Sequence, residues 1–229
     1  LVYSSLTTYT LGANVENGRI LATGAASLSG NALDNLLYAG AGANLLDGAG
    51  GNDTVSYLYG VSGSGVTASL ATGTATGGSG NDTLTGIENL VGSAYADTLS
   101  GDGGANVLSG GNGNDTLSGG LGADNFRFDM LPNAATNRDT ISDFNVVDDT
   151  IELENAVFGS LAASGTLAAA SFCSGAGLSS AADADDYLIY DTTSGAVYYD
   201  ANGNTGAGPV QIASLAAGLA LTSLDFLVT

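Results

Sequence analysis

Three-residue segments with one large apolar residue between two small or polar ones recur along this chain at intervals of nine residues. Thr116, Leu117 and Ser118 form one such segment, and a glycine-rich stretch separates each segment from the next. Alternation of this kind is typical of a short β-strand that points one side chain inward and its neighbours outward. Glycine tolerates a positive φ and therefore permits a tight turn between strands. The pattern predicts that each unit is a turn plus a strand, and that two units complete one coil.

Nine-residue units of the form G-G-x-G-x-D-x-U-x, in which U is a large apolar residue, occupy much of the chain between residues 30 and 127. Four units run without a gap from Gly92 to Arg127, and their sixth positions hold Asp97, Asn106, Asp115 and Asp124. A looser block from Gly30 to Ser56 carries Asn35, Asn44 and Asp53 at that position, and an isolated unit, GGSGNDTLT, spans Gly77 to Thr85. A low-complexity linker has no reason to keep aspartate and leucine in phase over four units, so we predict a solenoid.

Turns from units two apart are expected to stack on the same side of the solenoid, because each coil contains two units. The expected pairs are Asp97 above Asp115, Asn106 above Asp124, and Asn35 above Asp53. The insert GIENLV, residues 86–91, would supply a shortened opposite turn and leave Asp82 in register with Asp97. Stacked carboxylates repel each other, which disfavours a metal-free solenoid. Calcium takes about six to eight oxygen ligands and suits such a slot.

The composition also calls for a bound cation. The chain has 23 acidic residues against three arginines, a net charge of −20 and no histidine, yet 44% of its residues are hydrophobic. It can therefore bury a core, unlike acidic disordered chains, but it needs counter-charge. The acidity excludes a nucleic-acid partner. The lone Cys173 excludes an internal disulfide.

Catalysis is not expected in this chain. Without histidine, neither a Ser-His-Asp triad nor a histidine-ligated zinc site is available. Paired carboxylates could in principle serve a glycosidase. The phased acids, however, are already explained by calcium.

These repeats resemble those of the RTX, or repeats-in-toxin, family of secreted bacterial proteins. The resemblance covers Gly30 to Arg127 and is most specific at Gly77 to Thr85 and at Gly110 to Ser118. It implies an all-β fold: a parallel β-roll, or right-handed β-solenoid, with a C-terminal β-rich cap. It also implies several bound calcium ions, export from a Gram-negative bacterium by the type I secretion machinery, and an extracellular or cell-surface location.

The family pattern builds each calcium site from backbone carbonyls and sixth-position side chains of two stacked turns. Carried onto this chain, it implies one site from Ser93, Tyr95, Asp97, Gly110, Asn112 and Asp115, and a second from Asp102, Gly104, Asn106, Gly119, Leu121 and Asp124. A third would use Gly78, Gly80, Asp82, Gly92, Ala94 and Asp97, and a fourth Asn31, Leu33, Asn35, Gly48, Gly50 and Asp53. An amide oxygen ligates without charge, so we expect the sites with Asn35 and Asn106 to be weaker.

The segment RDTISDFNVVDDTIEL, residues 138–153, holds two alternating strands around an acidic turn. It resembles the segment that closes RTX rolls, which implies a last site formed by Asp143 with Gly120, Gly122 and Asp124. An ordinary hairpin with exposed acids is an equal alternative.

The C-terminal region contains three further patterns. Residues 187–200 predict a β-hairpin. The sequence DANGNTG, residues 200–206, has the alternate oxygen spacing of a calcium loop, but Gln211 stands where an acid would close it, so a plain polar loop is the alternative. The final LTSLDFLVT resembles the extreme C-terminus of type I secretion substrates and also suits a last β-strand.

We therefore expect a β-roll over residues 1–153, interrupted at 57–76 and closed by 137–153, and a C-terminal cap and secretion-signal region over 154–229. No membrane span is expected, because the longest uncharged stretch is broken by Gly and Ser. The start lacks the features of a signal peptide, so we expect a fragment of a longer protein.

Three functions are compatible with these features. The first is a calcium-binding RTX domain that drives calcium-induced folding, secretion and extracellular stability. The second is a structural or adhesive module that associates with itself or with a cell-surface layer or matrix. The third is the non-catalytic tail of a secreted enzyme, such as a protease, lipase or epimerase.

Overall fold

The computed structural model describes residues 1–161, 164–206 and 208–229. Within these ranges the chain forms 23 short strands and two 3₁₀ helices, at Ala169–Ser171 and Ser223–Asp225, and no α-helix. The strands up to the middle of the chain are β1 (Val2–Ser4), β2 (Thr8–Thr10), β3 (Asn17–Ile20), β4 (Ala26–Asn31), β5 (Leu36–Tyr38), β6 (Asn44–Ala49), β7 (Thr54–Ser56), β8 (Val66–Ser69), β9 (Thr74–Gly77), β10 (Gly80–Thr85), β11 (Asn89–Val91) and β12 (Thr98–Ser100). The remaining strands are β13 (Val107–Ser109), β14 (Thr116–Ser118), β15 (Asn125–Phe128), β16 (Asp139–Ile141), β17 (Thr150–Leu153), β18 (Gly165–Thr166), β19 (Phe172–Gly175), β20 (Leu188–Asp191), β21 (Ala196–Tyr199), β22 (Val210–Ser214) and β23 (Phe226–Val228).

The strands form two sheets, and along the repeats the chain passes from one sheet to the other with each nine-residue unit. The first sheet has the order β1-β3-β5-β7-β11-β13-β15-β17-β23-β18, in which every pair is parallel except β18–β23. The second sheet has the order β19-β20-β21-β22-β16-β14-β12-β8-β9-β10-β6-β4-β2. The prediction of an all-β parallel β-roll is confirmed.

Within the repeats, the core is a line of apolar side chains between the two sheets to which each nine-residue unit contributes its eighth-position residue. In β12 and β14 the register pairs Leu99 with Leu117, while the flanking Thr and Ser positions pair outside the core. The eighth-position residues of the units are almost fully buried: Leu37, Leu46, Val55, Leu84, Leu99, Leu108, Leu117 and Phe126. Because each strand contributes so little apolar surface, the fold depends on many identical coils adding their burial.

Three of the four expected register pairs are confirmed. The strands that follow Asp97 and Asp115 are paired in parallel, as are those that follow Asn106 and Asp124, and those that follow Asn35 and Asp53.

The expectation that Asp82 lies in register with Asp97 is wrong. The region 57–76 is not a loop outside the roll. It contributes β8 and β9 to the second sheet, where antiparallel β9 lies between β8 and β10. Asp82 therefore lies in β10, which pairs with β6, whereas Asp97 directly precedes β12, which pairs with β8.

The roll extends beyond the repeats at both ends. Strands β1 to β4 precede the first unit, and β16 and β17 add a further coil after the last. Since β16 lies in the second sheet and β17 in the first, the alternative of an ordinary hairpin over residues 138–153 is wrong.

The C-terminal strands continue both sheets. The predicted hairpin is confirmed as β20 paired antiparallel with β21, and the last residues form β23 against β17. Strand β22 joins β16. The boundary at residue 153 stays a prediction. No helix among the described residues is long and apolar enough to cross a membrane.

Candidate metal centres

Two rows of glycine-rich turns follow the edges of the roll. Turns of the first row lead into strands of the first sheet and span residues 30–35, 48–53, 86–88, 101–106, 119–124 and 142–149. Turns of the second row lead into the second sheet and include residues 39–43, 77–82, 92–97, 110–115 and 129–138.

A hydrogen-bond ladder joins the sixth positions of successive coils. The backbone N–H of Asp97 donates to Oδ1 of Asp115 at 2.8 Å, and that of Asn106 donates to Oδ1 of Asp124 at 2.8 Å. The N–H of Asn35 donates to Oδ1 of Asp53 at 2.7 Å. The ladder holds each carboxylate between two turns and occupies only one of its oxygens.

The other oxygen of three of these carboxylates has no partner. Oδ2 of Asp53, Asp115 and Asp124 is buried and accepts no hydrogen bond, and the residues are 0%, 1% and 1% exposed. A buried polar group left unpaired costs about 1–3 kcal/mol, and more when it is charged. A cation bound at these three oxygens would therefore remove the free-energy cost of burying them without a partner.

Carbonyl oxygens of the preceding turn face Gly111 and Gly113, while the free Oδ2 of Asp115 lies next to Gly110. A Cβ atom added to Gly111 would lie 2.5 Å from the carbonyl oxygen of Ser93. A Cβ on Gly113 would lie 2.6 Å from the carbonyl oxygen of Tyr95 and 2.7 Å from Oδ1 of Asp115. These glycines, at φ +85° and +145°, keep the gap between the turns open to oxygen atoms alone.

The second predicted site has the same construction around Asp124. A Cβ atom on Gly120 would clash with the carbonyl oxygen of Asp102, and one on Gly122 would clash with that of Gly104. A Cβ on Gly119 would clash with the free Oδ2 of Asp124. The turn that contains Leu121 and the turn that contains Asn106 thus lie close together, and the space between them is bordered by carbonyl and carboxylate oxygens.

The two turns named for the fourth predicted site also lie against each other. A Cβ atom on Gly51 would lie 2.6 Å from the carbonyl oxygen of Leu33. One on Gly48 would lie 2.5 Å from Oδ2 of Asp53.

Two of the three sixth-position asparagines, Asn35 and Asn106, use the side-chain amide as a donor, whereas Nδ2 of Asn44 is buried without a partner. Nδ2 of Asn106 donates to the carbonyl of Glu88 at 2.8 Å. Nδ2 of Asn35 donates to the carbonyls of Val15 at 3.2 Å and Glu16 at 3.1 Å. These donors point to the preceding coil, so the contact between an asparagine turn and the coil before it is satisfied by protein groups alone.

The third predicted site does not come together. Gly78 and Ser79 form the tip of the β9–β10 hairpin, in which Gly80 pairs with Gly77. Asp82 accepts hydrogen bonds from the N–H of Asn44 at 2.8 Å and from Ser79 Oγ at 3.0 Å, so both of its oxygens are used.

The other half of that site, residues 92–97, lies beside the β8 strand instead. Oδ1 of Asp97 accepts from the N–H of Val66 at 2.6 Å, and Oδ2 accepts from that of Ser93 at 2.5 Å. The inserted hairpin is the physical reason, because it separates Gly92 and Ala94 from the turn that contains Asp82.

Two aspartates of the last coil occupy the sixth-position place and were missed by the sequence reasoning. Asp115 N–H donates to Oδ1 of Asp139 at 3.0 Å, and Asp124 N–H donates to Oδ1 of Asp149 at 3.0 Å. The tripeptide DTI at both positions repeats the DTL of the units and could have revealed them. The predicted Asp143 does lie beside the last turn, where its carboxylate accepts from the N–H groups of Gly119 and Gly120, each at 3.0 Å.

Burial raises the pKa of these carboxyl groups. It raises the pKa of Asp53 to about 6, against the hydrogen bond from Asn35, and nearby Glu88 adds to the rise. Burial also raises the pKa of Asp124 and Asp115, and of Asp139, whose pKa the neighbouring Asp115 raises further. Neighbouring carboxylates add to the effect of burial on the pKa of Asp53, Asp115, Asp124 and Asp139.

The turns fit a hard cation that takes its ligands from oxygen. Among the described residues no group of three or more His, Cys, Asp or Glu side chains could hold a metal ion. The oxygens therefore come from backbone carbonyls with one or two carboxylates for each pair of turns, which is a set suited to calcium. The individual ligands remain predictions.

The acidic loop at residues 200–206 is ordered without this construction. Asp200 is 3% exposed and accepts from the N–H of Asn202 at 3.2 Å. The side chain of Thr205 donates to the carbonyl of Asn202 at 2.8 Å. Calcium binding there stays a prediction.

Comparison with known proteins places this geometry in a family. The model of the RTX calcium-binding nonapeptide repeat matches in four copies, over residues 23–56, 72–86 and 91–126. A search of curated proteins finds no match to the chain. The matched residues include the turns around Asp53, Asp115 and Asp124 in which unpartnered oxygens are buried. Residues 23–56, 72–86 and 91–126 therefore match RTX calcium-binding nonapeptide repeats.

Proposed function

We propose that this chain is the calcium-binding segment of a secreted protein, and that calcium drives its folding. The observation that carries the proposal is the set of three buried, unpartnered carboxylate oxygens in stacked turns. They belong to a chain with a net charge of −20. Calcium would be held by the carbonyls and carboxylates of adjacent turns, and would supply positive charge and a cross-link between coils.

Without calcium the same arrangement opposes folding. Each coil buries about one large apolar side chain per strand, while the turns bring acidic groups into register. Repulsion and desolvation then weigh against a small hydrophobic gain. The chain would stay largely unfolded at the low calcium concentration of a cytosol and condense where calcium is abundant.

A calcium titration followed by circular dichroism tests the proposal. In excess chelator we expect a weak β-signal, which rises cooperatively as free calcium increases, and magnesium at the same concentration should not replace calcium. Magnesium serves as the control because it demands a smaller, octahedral site and keeps its water. A full β-signal in chelator would contradict the proposal.

Export follows from the same property. RTX repeats are typical of secreted bacterial proteins, and we propose export through a type I secretion system while the chain is unfolded. The last residues, which form β23 in the folded chain, would serve as the signal before folding. Deleting residues 221–229 should abolish export of a fusion protein, and undiminished export would contradict this role.

The chain itself is proposed to be non-catalytic. It could serve as the tail of a secreted enzyme or as a module of a surface layer, and the calcium-dependent fold would be common to both roles. Assay of the purified, calcium-loaded chain for hydrolysis of ester, peptide and glycoside substrates tests this part.

A further inference from the structure

A row of tyrosines and one arginine lies on the outer face of the first sheet, near its β1 edge. Tyr3 pairs with Arg19, and Arg19 pairs with Tyr38, in three adjacent parallel strands. Each flanks a residue that faces the core, so their side chains lie on the outer face. Tyr59 completes the group: the Arg19 Cζ atom lies 3.7 Å from its ring centroid, and the centroid of Tyr38 lies 5.3 Å from it.

Arg19 uses none of its hydrogen-bond donors within the described part of the chain. Its side chain forms no ion pair there, and its buried Nε has no partner. The other two arginines are engaged: Arg127 pairs with Glu152 at 2.9 Å, and Arg138 donates to Gln211 at 3.4 Å. Of the three arginines, Arg19 alone has no hydrogen-bond or ion-pair partner within the described residues.

The guanidinium is held ready for a ligand. Stacking on Tyr59 restrains the planar fork, and because Nε is buried, the two terminal nitrogens are the donors left to form parallel hydrogen bonds with a ligand. Such a fork matches the paired oxygens of a carboxylate or a sulfate. Because the group is already restrained, binding would cost less conformational entropy than for a free arginine.

The rings beside the fork define the rest of the ligand. Tyr3 is 58% exposed and Tyr59 is 40% exposed, so both offer apolar surface at the side of Arg19. The flat C–H face of a sugar ring can pack on tyrosine while a charged substituent reaches the guanidinium. The net charge of −20 repels strongly anionic polymers, which favours a ligand with one or a few charges.

We propose that Arg19, with Tyr3, Tyr38 and Tyr59, forms a binding site for an acidic saccharide, through an oxyanion on a sugar ring. This site is separate from the turns that hold calcium. It lies on the sheet face, and its residues include no sixth-position side chain.

Calorimetric titration of the calcium-loaded chain tests the proposal. The probes are trigalacturonate as the carboxylated saccharide, galactose 6-sulfate as the sulfated one, cellotriose as the neutral one, and triglutamate as an acidic peptide, all in excess calcium. We expect saturable binding of at least one acidic saccharide, weakening as salt is raised, with cellotriose and triglutamate at least about tenfold weaker, which corresponds to 1.4 kcal/mol.

The variants separate the fork from general charge. Arg19→Gln should weaken binding at least about tenfold. Arg19→Lys should weaken it nearly as much, because lysine keeps the charge but lacks the planar fork. Tyr3→Ala should weaken binding severalfold. Arg138→Gln is the matched control and should leave the affinity unchanged. Circular dichroism in calcium verifies folding, and Arg19→Lys serves as the readout if Arg19→Gln folds poorly. No binding of either acidic saccharide, equal binding by Arg19→Lys, or preference for triglutamate would overturn the proposal.

Discussion

Residues 77–85 and residues 110–118 are almost the same sequence in two different structures. GGSGNDTLT and GGNGNDTLS differ only at Ser79 against Asn112 and at Thr85 against Ser118. In the later segment the glycines form a turn stacked between two others, and Asp115 keeps a buried, unpartnered oxygen. In the earlier one the glycines close an antiparallel hairpin, and protein donors use both oxygens of Asp82.

The difference teaches that a repeat motif describes only half of a metal site. The other half comes from the turn stacked against it, and the neighbouring strands decide which turn that is. For residues 110–115 the neighbour is another roll turn, at 92–97. For residues 77–82 it is the antiparallel strand β9 on one side and the turn before β6 on the other.

The largest contrast is expected between Asp115→Ala and Asp82→Ala. Asp115→Ala removes a proposed calcium ligand and should raise the calcium concentration at the folding midpoint at least about tenfold. Asp82→Ala removes hydrogen bonds within the protein, so it should shift that midpoint little. It should, however, lower the free energy of unfolding in saturating calcium by about 1–3 kcal/mol. Calcium titration and urea unfolding measure the two effects, and equal midpoint shifts would contradict the distinction.

In the absence of calcium, acid should partly replace the ion. Burial raises the pKa of Asp53 and of Asp82 to about 6, above the ordinary value near 3.8. The folded chain therefore binds protons more tightly than the unfolded chain, and its stability should fall as pH rises from about 4 through about 6. Circular dichroism in chelator should therefore give a stronger β-signal at pH 4.5 than at pH 7.5. A stronger β-signal at pH 7.5 would mean that protonation of these carboxylates does not stabilise the fold.

Asp53→Ala is expected to have a smaller effect on calcium binding than Asp115→Ala. In the ladder Asp115 lies between the carboxylates of Asp97 and Asp139, whereas Asp53 lies between the neutral amide of Asn35 and the carboxylate of Glu88. Fewer charged oxygens mean a weaker calcium site. Paired calcium titrations of the two variants measure this order, and a larger shift for Asp53→Ala would reverse it.

The smallest effect is expected for Asn106→Asp. This change adds a charged oxygen beside the Asp124 turn and removes the hydrogen bond from Nδ2 of Asn106 to the carbonyl of Glu88. The calcium affinity should rise severalfold, while the weak β-signal in chelator should decrease, because the lost hydrogen bond contributes about 0.5–1.5 kcal/mol. The matched control is Asn125→Asp, which adds the same charge on the strand beside that turn. An equal rise in affinity for both variants would show that only net charge matters.

Much of the fold could be predicted from local sequence. The nine-residue phase identified the strands, and the buried Leu99, Leu108 and Leu117 confirm which side chains face inward. Where the nine-residue phase was interrupted, position in the chain predicted the sixth-position residues less well. Asp139 and Asp149 follow turns whose length differs from that of the repeat. The nine-residue spacing that identified Asp115 and Asp124 therefore does not identify them.

The sequence by itself determined that this chain forms short strands between glycine turns, that one apolar side chain per strand faces inward, and that its acids need a cation. These properties depend on residues close together along the chain, where alternation, glycine and charge act directly. Only the tertiary structure decided which carboxylates keep a free oxygen. Asp82 and Asp115 have nearly the same local sequence, but the first faces the donors of a hairpin and the second faces another acidic turn. Whether a carboxylate keeps a free oxygen depends on which strand is inserted between coils. The sequence of a nine-residue motif does not specify which strand pairs with it.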